Sequence, residues 1–256
     1  MLTDKTIWGV IPHGFRKVTD GRGSRLVVRE DRAMDIDFST CRDVPGGTRD
    51  RRHYGRGPLD AIRFRDGDTA LVRRYQHGGL FRRITGGCFV AWPPRPFREL
   101  AITEELRRRG FRTVEVYAAC VERVAGPFYR GCLVTRELRG AKDLWATLQG
   151  ELAGRGQVTA VLKASAEIVC AMHREGVYHS DLNLKNILIR FNGGGVDGYV
   201  IDFDKAKLFL GKLPPRLAQE NLGRLRRSAL KLDPEQRYLS SSAWNEFLEF
   251  YYAAER

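Results

Sequence analysis

The chain has 256 residues, of which 43% are hydrophobic, so it is long enough to fold around one large or two small cores. Its formal net charge of +13 indicates an acidic partner: nucleic acid, an anionic membrane surface or a multiply anionic substrate. An arginine-rich proteome is the alternative explanation of the charge. No RNP, zinc-finger or helix-turn-helix motif favours nucleic acid, and no stretch reaches the roughly 18 apolar residues that span a membrane.

The amino terminus lacks the apolar core of a signal peptide, and the cysteine pattern agrees with an intracellular protein. The cysteines are odd in number, widely scattered, and without a C-x-x-C pair. They therefore predict reduced core residues in a cytosolic protein rather than a disulfide framework or a metal site. They are Cys41, Cys88, Cys120, Cys132 and Cys170.

The first half of the chain has the pattern of a nucleotide-binding lobe. Residues 1–47 read as a strand-and-turn extension, after which strands and turns alternate around one helix. Gly55 and Gly57 occupy a turn between two strands, where glycines let the backbone approach a pyrophosphate and direct N–H groups at it. Only two glycines of a G-x-G-x-x-G motif are present, so an ordinary turn is an equally good interpretation.

The strand at 69–75 lies where kinases carry V-A-I-K, and Arg73 takes the place of the lysine. Its expected role is to bind nucleotide phosphates while it pairs with a carboxylate of the following helix, for which Glu99 is the best candidate. Arginine differs from lysine in reach and hydrogen-bond geometry, so the exchange is not neutral. A surface cation is the alternative reading of Arg73, and strand alternation places Arg74 on the opposite face.

The segment 129–138 reads as a strand that runs into a hinge at Gly140. Adenine is expected to lie between apolar walls at this point and to bond backbone groups near Glu137 and Leu138. Backbone contacts leave no side-chain signature, so this prediction depends on the order of the elements alone.

The strongest motif is H-x-D-x-x-x-x-N at 179–186, followed by an apolar strand that ends in D-F-D at 202–204. Phosphoryl transfer needs a carboxylate to orient the attacking hydroxyl, for which we predict Asp181. It also needs oxygen ligands for Mg²⁺ on the nucleotide phosphates, for which we predict Asn186 and Asp202. We expect His179 to pack behind the loop as a structural residue. The non-catalytic alternatives are a capped loop for Asp181 and Asn186 and a surface carboxylate for Asp202.

Downstream, three cations recur at helical spacing beside Leu222, Leu225 and Leu230. We predict that this stripe faces an acidic acceptor, and an ordinary solvated helix face is an equally good reading. The three cations are Arg224, Arg227 and Lys231.

Taken together, six segments resemble the lipopolysaccharide kinase family. The arginine-containing strand followed by Gly78 and Gly79 is most similar to 3-deoxy-D-manno-octulosonic acid (Kdo) kinases, and the inner-core heptose kinases are the nearest alternative. The resemblance covers roughly residues 50–235. The six segments are 73–80, 95–99, 129–138, 179–186, 201–205 and 221–228.

The resemblance implies an α+β, bilobal protein-kinase-like fold. Residues 1–47 would pack on a β-rich small lobe at 48–138, and residues 139–256 would form a mainly helical catalytic lobe. The implied reaction uses ATP and Mg²⁺ to phosphorylate a sugar hydroxyl of the lipopolysaccharide inner core, most closely the 4-hydroxyl of Kdo attached to lipid A. The implied site is cytoplasmic and peripheral on the inner membrane, whose anionic lipids attract a basic surface.

Other classes of protein share parts of this pattern. A small-molecule phosphotransferase shares H-x-D-x-x-x-x-N, and a pseudokinase or nucleotide-binding scaffold would share the fold. A protein kinase is disfavoured because Ser180 replaces the arginine of H-R-D, Asp204 replaces the glycine of D-F-G, and no A-P-E segment follows. A phosphorylation-controlled activation loop is therefore not expected.

Overall fold

The computed structural model describes residues 8–41, 50–54, 57–75, 88–150 and 155–256, and for 50–54, 57–58 and 155 it describes the backbone only. The described residues group into two compact units. Unit 1 comprises those in 1–53, 57–105 and 115–137, and unit 2 comprises those in 54–56, 106–114 and 138–256. The division predicted from the sequence, at 47 and 138, stays a prediction.

Unit 1 is built on a seven-stranded sheet in the order β1-β2-β6-β7-β5-β4-β3. The strands are β1 (Phe15–Thr19), β2 (Arg25–Arg29), β3 (Asp50–Tyr54), β4 (Gly57–Arg63), β5 (Thr69–Arg74), β6 (Val116–Ala125) and β7 (Phe128–Arg136). Two helices, α1 (Phe38–Cys41) and α2 (Arg95–Arg108), and a 3₁₀ turn at Glu30–Arg32 accompany them. Because β2 pairs with β6, the described part of the amino-terminal extension belongs to the sheet itself.

The sheet of unit 1 has an apolar core on each face. Along β6, Ala119 and Val121 pack with Phe97 and Leu100 of α2. The alternate residues of β6 point to the other face, because successive side chains of a strand point to opposite sides. Cys120 packs there in a second cluster with the end of α1. Burial on both faces explains why β6 reads as an almost continuous apolar run rather than an alternating one.

Unit 2 is mainly helical. Its helices are α3 (Leu144–Gln149), α4 (Arg155–Arg174), α5 (Pro215–Leu232) and α6 (Ser241–Glu255). Its strands are β8 (Ala141–Asp143), β9 (Val177–Tyr178), β10 (Ile187–Asn192), β11 (Gly195–Val200) and β12 (Lys207–Leu208), paired as β11-β10-β8 and β12-β9. A β-rich first unit and a helical second unit confirm the predicted α+β fold class.

Gly176 allows the chain to turn sharply from α4 into β9. Its φ of +75° lies in the left-handed region, and a Cβ at this position would lie 2.6 Å from the Phe209 carbonyl oxygen. The Phe209 N–H in turn donates to the Gly176 carbonyl at 2.9 Å. This close approach fixes the point at which β9 enters the candidate site.

In the described part of the chain, no helix combines the length and the apolar character needed to cross a membrane.

Candidate active site

Two strand pairs of unit 2 bring the two predicted catalytic segments together. The first segment, called the catalytic loop (179–186), follows β9 and precedes β10; the second, called the DFD segment (202–204), lies between β11 and β12. β9 pairs with β12, and β10 pairs with β11 from Ile187 opposite Val200. The strand before the catalytic loop thus pairs with the strand after the DFD segment, and the strand after the loop pairs with the strand before that segment. The two segments therefore lie side by side.

His179 connects the catalytic loop to the residue before Asp202. Its side chain is 1% exposed, its Nδ1 accepts the Asp181 N–H at 3.2 Å, and its Nε2 lies 3.0 Å from the Ile201 carbonyl. An acceptor at Nδ1 and a carbonyl opposite Nε2 require the neutral tautomer with its proton on Nε2. Burial lowers the pKa of His179, which stabilises that neutral form. The ring is structural, as predicted for this position.

Asn186 has an orientation set by backbone bonds. Its side-chain N–H donates to the Asp181 carbonyl at 2.9 Å, and its own carbonyl accepts the Ile201 N–H at 3.0 Å. Because the amide nitrogen must be the donor, the oxygen Oδ1 points away from that bond. Asn186 is therefore positioned to offer an amide oxygen to a cation, although its predicted role as a metal ligand stays a prediction.

Asp202 has an unusual backbone conformation. Its φ of +70° lies in the left-handed region, which Asp and Asn tolerate better than most residues. The next residue, Phe203, is 1% exposed and packs against His179 and Phe111, with ring centroids at 5.4 Å and 6.4 Å. A buried ring on one side and the Ile201 bonds on the other hold Asp202 in this conformation. Such backbone strain costs about 1–3 kcal/mol and is concentrated at functional residues.

Ser180, at the position of the arginine of H-R-D, bonds the chain after the DFD segment. Its hydroxyl donates to the Lys205 carbonyl at 2.6 Å, which connects the catalytic loop to the residue after the DFD segment. The departure from the protein-kinase motif therefore has a structural use. It bonds the chain directly after Asp204, and the expectation that no switchable activation loop follows stays a prediction.

Side chains of helix α5 bond the backbone of the catalytic loop. Asn221, which is fully buried, accepts the His179 N–H at 3.0 Å and donates to the His179 carbonyl at 2.9 Å. Two turns later, the Ser228 hydroxyl accepts the Leu184 N–H at 3.3 Å. A spacing of seven residues places both side chains on one face of the helix. This face of α5 holds both ends of the loop.

Two cations of the predicted acceptor stripe, Arg224 and Lys231, lie on the flank of this face. Arg224 follows Asn221 by three residues and Lys231 follows Ser228 by three, so both are displaced to the same side of the helix. Arg224 is half-buried, whereas Arg227 and Lys231 are exposed. Arg224 and Lys231 therefore offer charge beside the face that bonds the catalytic loop, and contact of the stripe with an acceptor stays a prediction.

In unit 1, Arg73 and Glu99 form an ion pair. Glu99 of α2 is 2% exposed, and the Arg73 guanidinium lies 2.5 Å from its Oε1. The Tyr75 hydroxyl also donates to Glu99, and the Arg73 guanidinium lies over the Tyr75 ring at 4.8 Å. Both partners satisfy a carboxylate that would be costly to bury alone. As strand alternation predicts, Arg74 points to the other face, where it pairs with Asp60 at 2.6 Å.

The remaining predicted nucleotide contacts are placed only in part. Gly55 lies outside the described residues, as do Gly78 and Gly79, and Gly57 is the first residue of β4. The Glu137 N–H donates to the Thr69 carbonyl at 2.8 Å, and the Leu138 carbonyl accepts the Ala141 N–H at 3.1 Å. Two of the backbone groups expected to bond adenine are therefore engaged within the protein.

Comparison with known proteins assigns the family. A model of the lipopolysaccharide kinase (Kdo/WaaP) family matches residues 55–251. The chain belongs to this family. It is 32% identical over 206 residues to a 3-deoxy-D-manno-octulosonic acid kinase of Pasteurella multocida, covering 78% of this chain and 82% of the relative. It is 33% identical over 220 residues to one of Xanthomonas oryzae pv. oryzae, covering 83% of each chain.

Among solved structures, WaaP in complex with acyl carrier protein aligns with a TM-score of 0.54 at 22% identity, covering 77% of this chain and 74% of the other. This likeness shows the fold, and it confirms the predicted protein-kinase-like class. Membership of the Kdo/WaaP family confirms the predicted family, and it makes this kinase a phosphotransferase that acts on a sugar hydroxyl. Its use of ATP follows from the family.

Behind the catalytic loop of this kinase lies a second buried histidine, which the sequence did not single out. His173 of α4 is 1% exposed; its Nδ1 lies 2.8 Å from the Tyr251 hydroxyl and its Nε2 lies 3.3 Å from Asn221 Oδ1. Since Asn221 Oδ1 can only accept, Nε2 carries the proton and Nδ1 accepts from Tyr251. Burial lowers the pKa of His173 to about 4.

We expect this histidine to make the stability of the kinase depend on pH. His173 has a pKa near 6.5 in the unfolded chain and about 4 in the folded chain. Its neutral form therefore contributes fully to the free energy of unfolding above pH 6.5, and this contribution falls as the pH drops towards 4. The full loss corresponds to about 3 kcal/mol. His173→Gln keeps a donor and an acceptor but cannot titrate. Urea unfolding at several pH values should give a smaller fall for the variant than for the wild type.

The exposed His13 supplies the matched control, because His13→Gln also removes one imidazole. It should leave the pH dependence unchanged. An identical fall in the wild type and in His173→Gln would contradict the assignment to His173.

Proposed function

We propose that the protein transfers the γ-phosphate of ATP to the 4-hydroxyl of Kdo attached to lipid A. The two relatives described above are named Kdo kinases, and each alignment covers about four-fifths of the chain. The observation that supports the proposal is the bonded assembly around Ile201, in which His179 and Asn186 of the catalytic loop bond the residue that precedes Asp202. An inner-core heptose kinase of the same family is the alternative, since the site chemistry is shared.

The residues of unit 2 fit a hard divalent cation. Asn186 offers an amide oxygen whose orientation is set by its bond to the Asp181 carbonyl, and Asp202 adds a carboxylate. Mg²⁺ prefers oxygen ligands of these two kinds and is commonly held by one or two protein groups together with substrate phosphates. When bound there, Mg²⁺ neutralises charge on the phosphate oxygens.

The remaining roles follow from the chemistry of each side chain. The Asp181 carboxylate orients the sugar hydroxyl and accepts its proton. The Arg73 guanidinium binds nucleotide phosphates, and Glu99 holds it in a fixed direction. Adenine bonds the backbone near Glu137 and Leu138, and of these groups the Leu138 N–H is the donor that none of the described bonds uses.

The acceptor explains the basic charge of the chain. Kdo carries a carboxylate and lipid A carries phosphates, so the stripe formed by Arg224, Arg227 and Lys231 raises the local concentration of acceptor. Each basic residue near an anionic bilayer also contributes about 1 kcal/mol of attraction. We propose that the kinase works as a peripheral protein on the cytoplasmic face of the inner membrane, where both attractions act together.

The acceptor is tested by incubating the protein with ATP and Mg²⁺ and one of three glycolipids: Kdo-bearing lipid A, the same molecule extended with heptose, and lipid A alone. We expect one phosphate on the Kdo-bearing acceptor, placed at the 4-hydroxyl by fragment mass spectrometry. Transfer only to the heptose-bearing molecule would reject Kdo in favour of heptose. Transfer to none of them would reject the proposed substrate class.

The stripe is tested with Arg227→Ala, which removes an exposed cation. We expect the KM for the glycolipid to rise several-fold while the KM for ATP stays constant, with an effect that shrinks at high salt. Arg216→Ala is the matched control, because Arg216 lies in the first turn of the same helix and its side chain is 91% exposed. Equal effects of both variants on the glycolipid KM would reject the stripe as a specific acceptor contact.

A further inference from the structure

Three cysteines that are far apart in the sequence come together in unit 1. The Sγ atoms of Cys41, Cys120 and Cys132 all lie within 4.8 Å of one another, and the three residues are only 8%, 3% and 2% exposed. The sequence predicted scattered core cysteines and no metal site, because no local spacing indicates this meeting. The other two cysteines lie apart from them, Cys170 buried in α4 and Cys88 half-buried.

The fold explains why the three thiols meet. Cys120 of β6 lies directly opposite Cys132 of β7 in the antiparallel ladder, so both side chains leave the same face of the sheet. Cys41 is the last residue of α1, which packs against that face in the same buried cluster. Strand register thus places two of the thiols, and the end of a helix places the third. The fold therefore brings the three thiols together without a bound ion.

This geometry is close to that of a three-sulfur metal site. Sulfur ligands about 2.3 Å from a central ion lie about 4 Å from one another, so the observed separations need to shrink by less than about 1 Å. Thiolates are soft ligands that select ions such as Zn²⁺ or Cu⁺. No fourth His, Cys, Asp or Glu of the described residues joins the group, which leaves one coordination position to a small ligand such as water.

The charge of the surroundings favours a divalent ion. Three thiolates with a monovalent ion leave two negative charges in an apolar core, whereas a divalent ion leaves one, and buried uncompensated charge is costly. Arg74 lies opposite Cys132 on β5 and shares its face, but its ion pair with Asp60 leaves little net charge to compensate additional thiolates.

We propose that Cys41, Cys120 and Cys132 form a structural Zn²⁺ site in unit 1. Binding follows Zn²⁺ + 3 RSH → [Zn(SR)₃]⁻ + 3 H⁺, so it requires no oxidant or reductant. The ion connects the end of α1 to β6 and β7, and β7 pairs with the strand that carries Arg73. The site therefore stabilises the strands that hold the phosphate-binding cation, independently of which sugar the kinase phosphorylates.

Zinc content is the decisive measurement. The full chain, without a histidine tag, is refolded with Zn²⁺ and a non-thiol reductant, desalted and analysed for metal. We expect one zinc per chain in the wild type, at least a tenfold loss in Cys120→Ser and Cys132→Ser, and full retention in Cys170→Ser, which changes a buried cysteine outside the cluster. Zinc in the wild type no higher than in Cys120→Ser, or lost equally in Cys170→Ser, would overturn the proposal.

Two additions keep the test decisive if a core substitution prevents folding. Cys41→Ala changes the thiol at the end of a short helix and leaves both strand positions intact, and its fold is checked by circular dichroism. On the wild type alone, Cd²⁺ gives a thiolate charge-transfer band whose intensity scales with the number of bound sulfurs. We expect the intensity of three thiolates and a melting temperature raised by Zn²⁺. The absence of the band in the refolded wild type would reject the site.

Discussion

Replacement of Asp181 by asparagine is expected to lower kcat by about 10²–10⁴-fold, the usual contribution of a positioned general base. Binding of ATP should change by less than about twofold, because the carboxylate acts on the acceptor hydroxyl rather than on the nucleotide. The loop itself should survive. The bonds from Asn183 and Asn186 end on the Asp181 carbonyl and the bond to His179 starts from its N–H, so the substitution leaves them in place.

The measurement combines phosphate transfer to Kdo-bearing lipid A with ATP binding by calorimetry. Glu235→Gln is the matched control, because it neutralises a carboxylate whose side chain is 67% exposed and lies outside the site. It should leave both quantities unchanged. Turnover by Asp181→Asn at the wild-type rate would remove Asp181 from its assigned role, and lost ATP binding would place it on the nucleotide instead.

The parts of the site that follow from local sequence could be predicted well. The spacing of His179, Asp181 and Asn186 lies within one loop, and the apolar run before Asp202 identifies the strand that ends there. The pairing of Arg73 with Glu99 follows from strand alternation and from the predicted helix that carries Glu99. In each case the order of the elements along the chain is enough to place the residues.

The supporting residues could not be predicted, because they come from elements far away in the chain. Asn221 and Ser228 lie in a segment that the family resemblance includes, but their bonds to the catalytic loop depend on how α5 packs. His173 and Tyr251 meet across two helices. The cysteine cluster depends on the register of β6 against β7, and register is set by the whole sheet rather than by the sequence around one residue.

The bonds that support the catalytic loop are made by the protein itself. Every bond described around Ile201 and His179 involves a backbone group, and the residues that supply these groups are buried or half-buried. Such bonds hold the carbonyl of Asp181 and the conformation of Asp202 before any substrate arrives. Preorganised polar groups cost no reorganisation at the moment of reaction, which is where most of their catalytic benefit originates. The loop is therefore held by α5 and by Ile201, the residue that follows β11.

Asp202→Asn is expected to abolish measurable transfer and to weaken Mg²⁺-dependent ATP binding at least about tenfold, since even outer partners of metal ligands contribute that much. The fold should persist, because asparagine accepts the observed φ of +70° as readily as aspartate does. Both losses together distinguish this variant from Asp181→Asn, which should lose turnover alone. ATP binding is measured with and without Mg²⁺, and thermal melting checks the fold.

A glycine at the same position separates the carboxylate from the backbone. Asp202→Gly removes the steric cost of the left-handed conformation, so its free energy of unfolding should equal that of the wild type to within about 1 kcal/mol. Its activity should be as low as that of the asparagine variant. If either variant kept Mg²⁺-dependent ATP binding at the wild-type affinity, Asp202 would not be a metal ligand. If both lost stability instead, the Asp202 carboxylate would serve the fold, because asparagine and glycine both accept the φ of +70°.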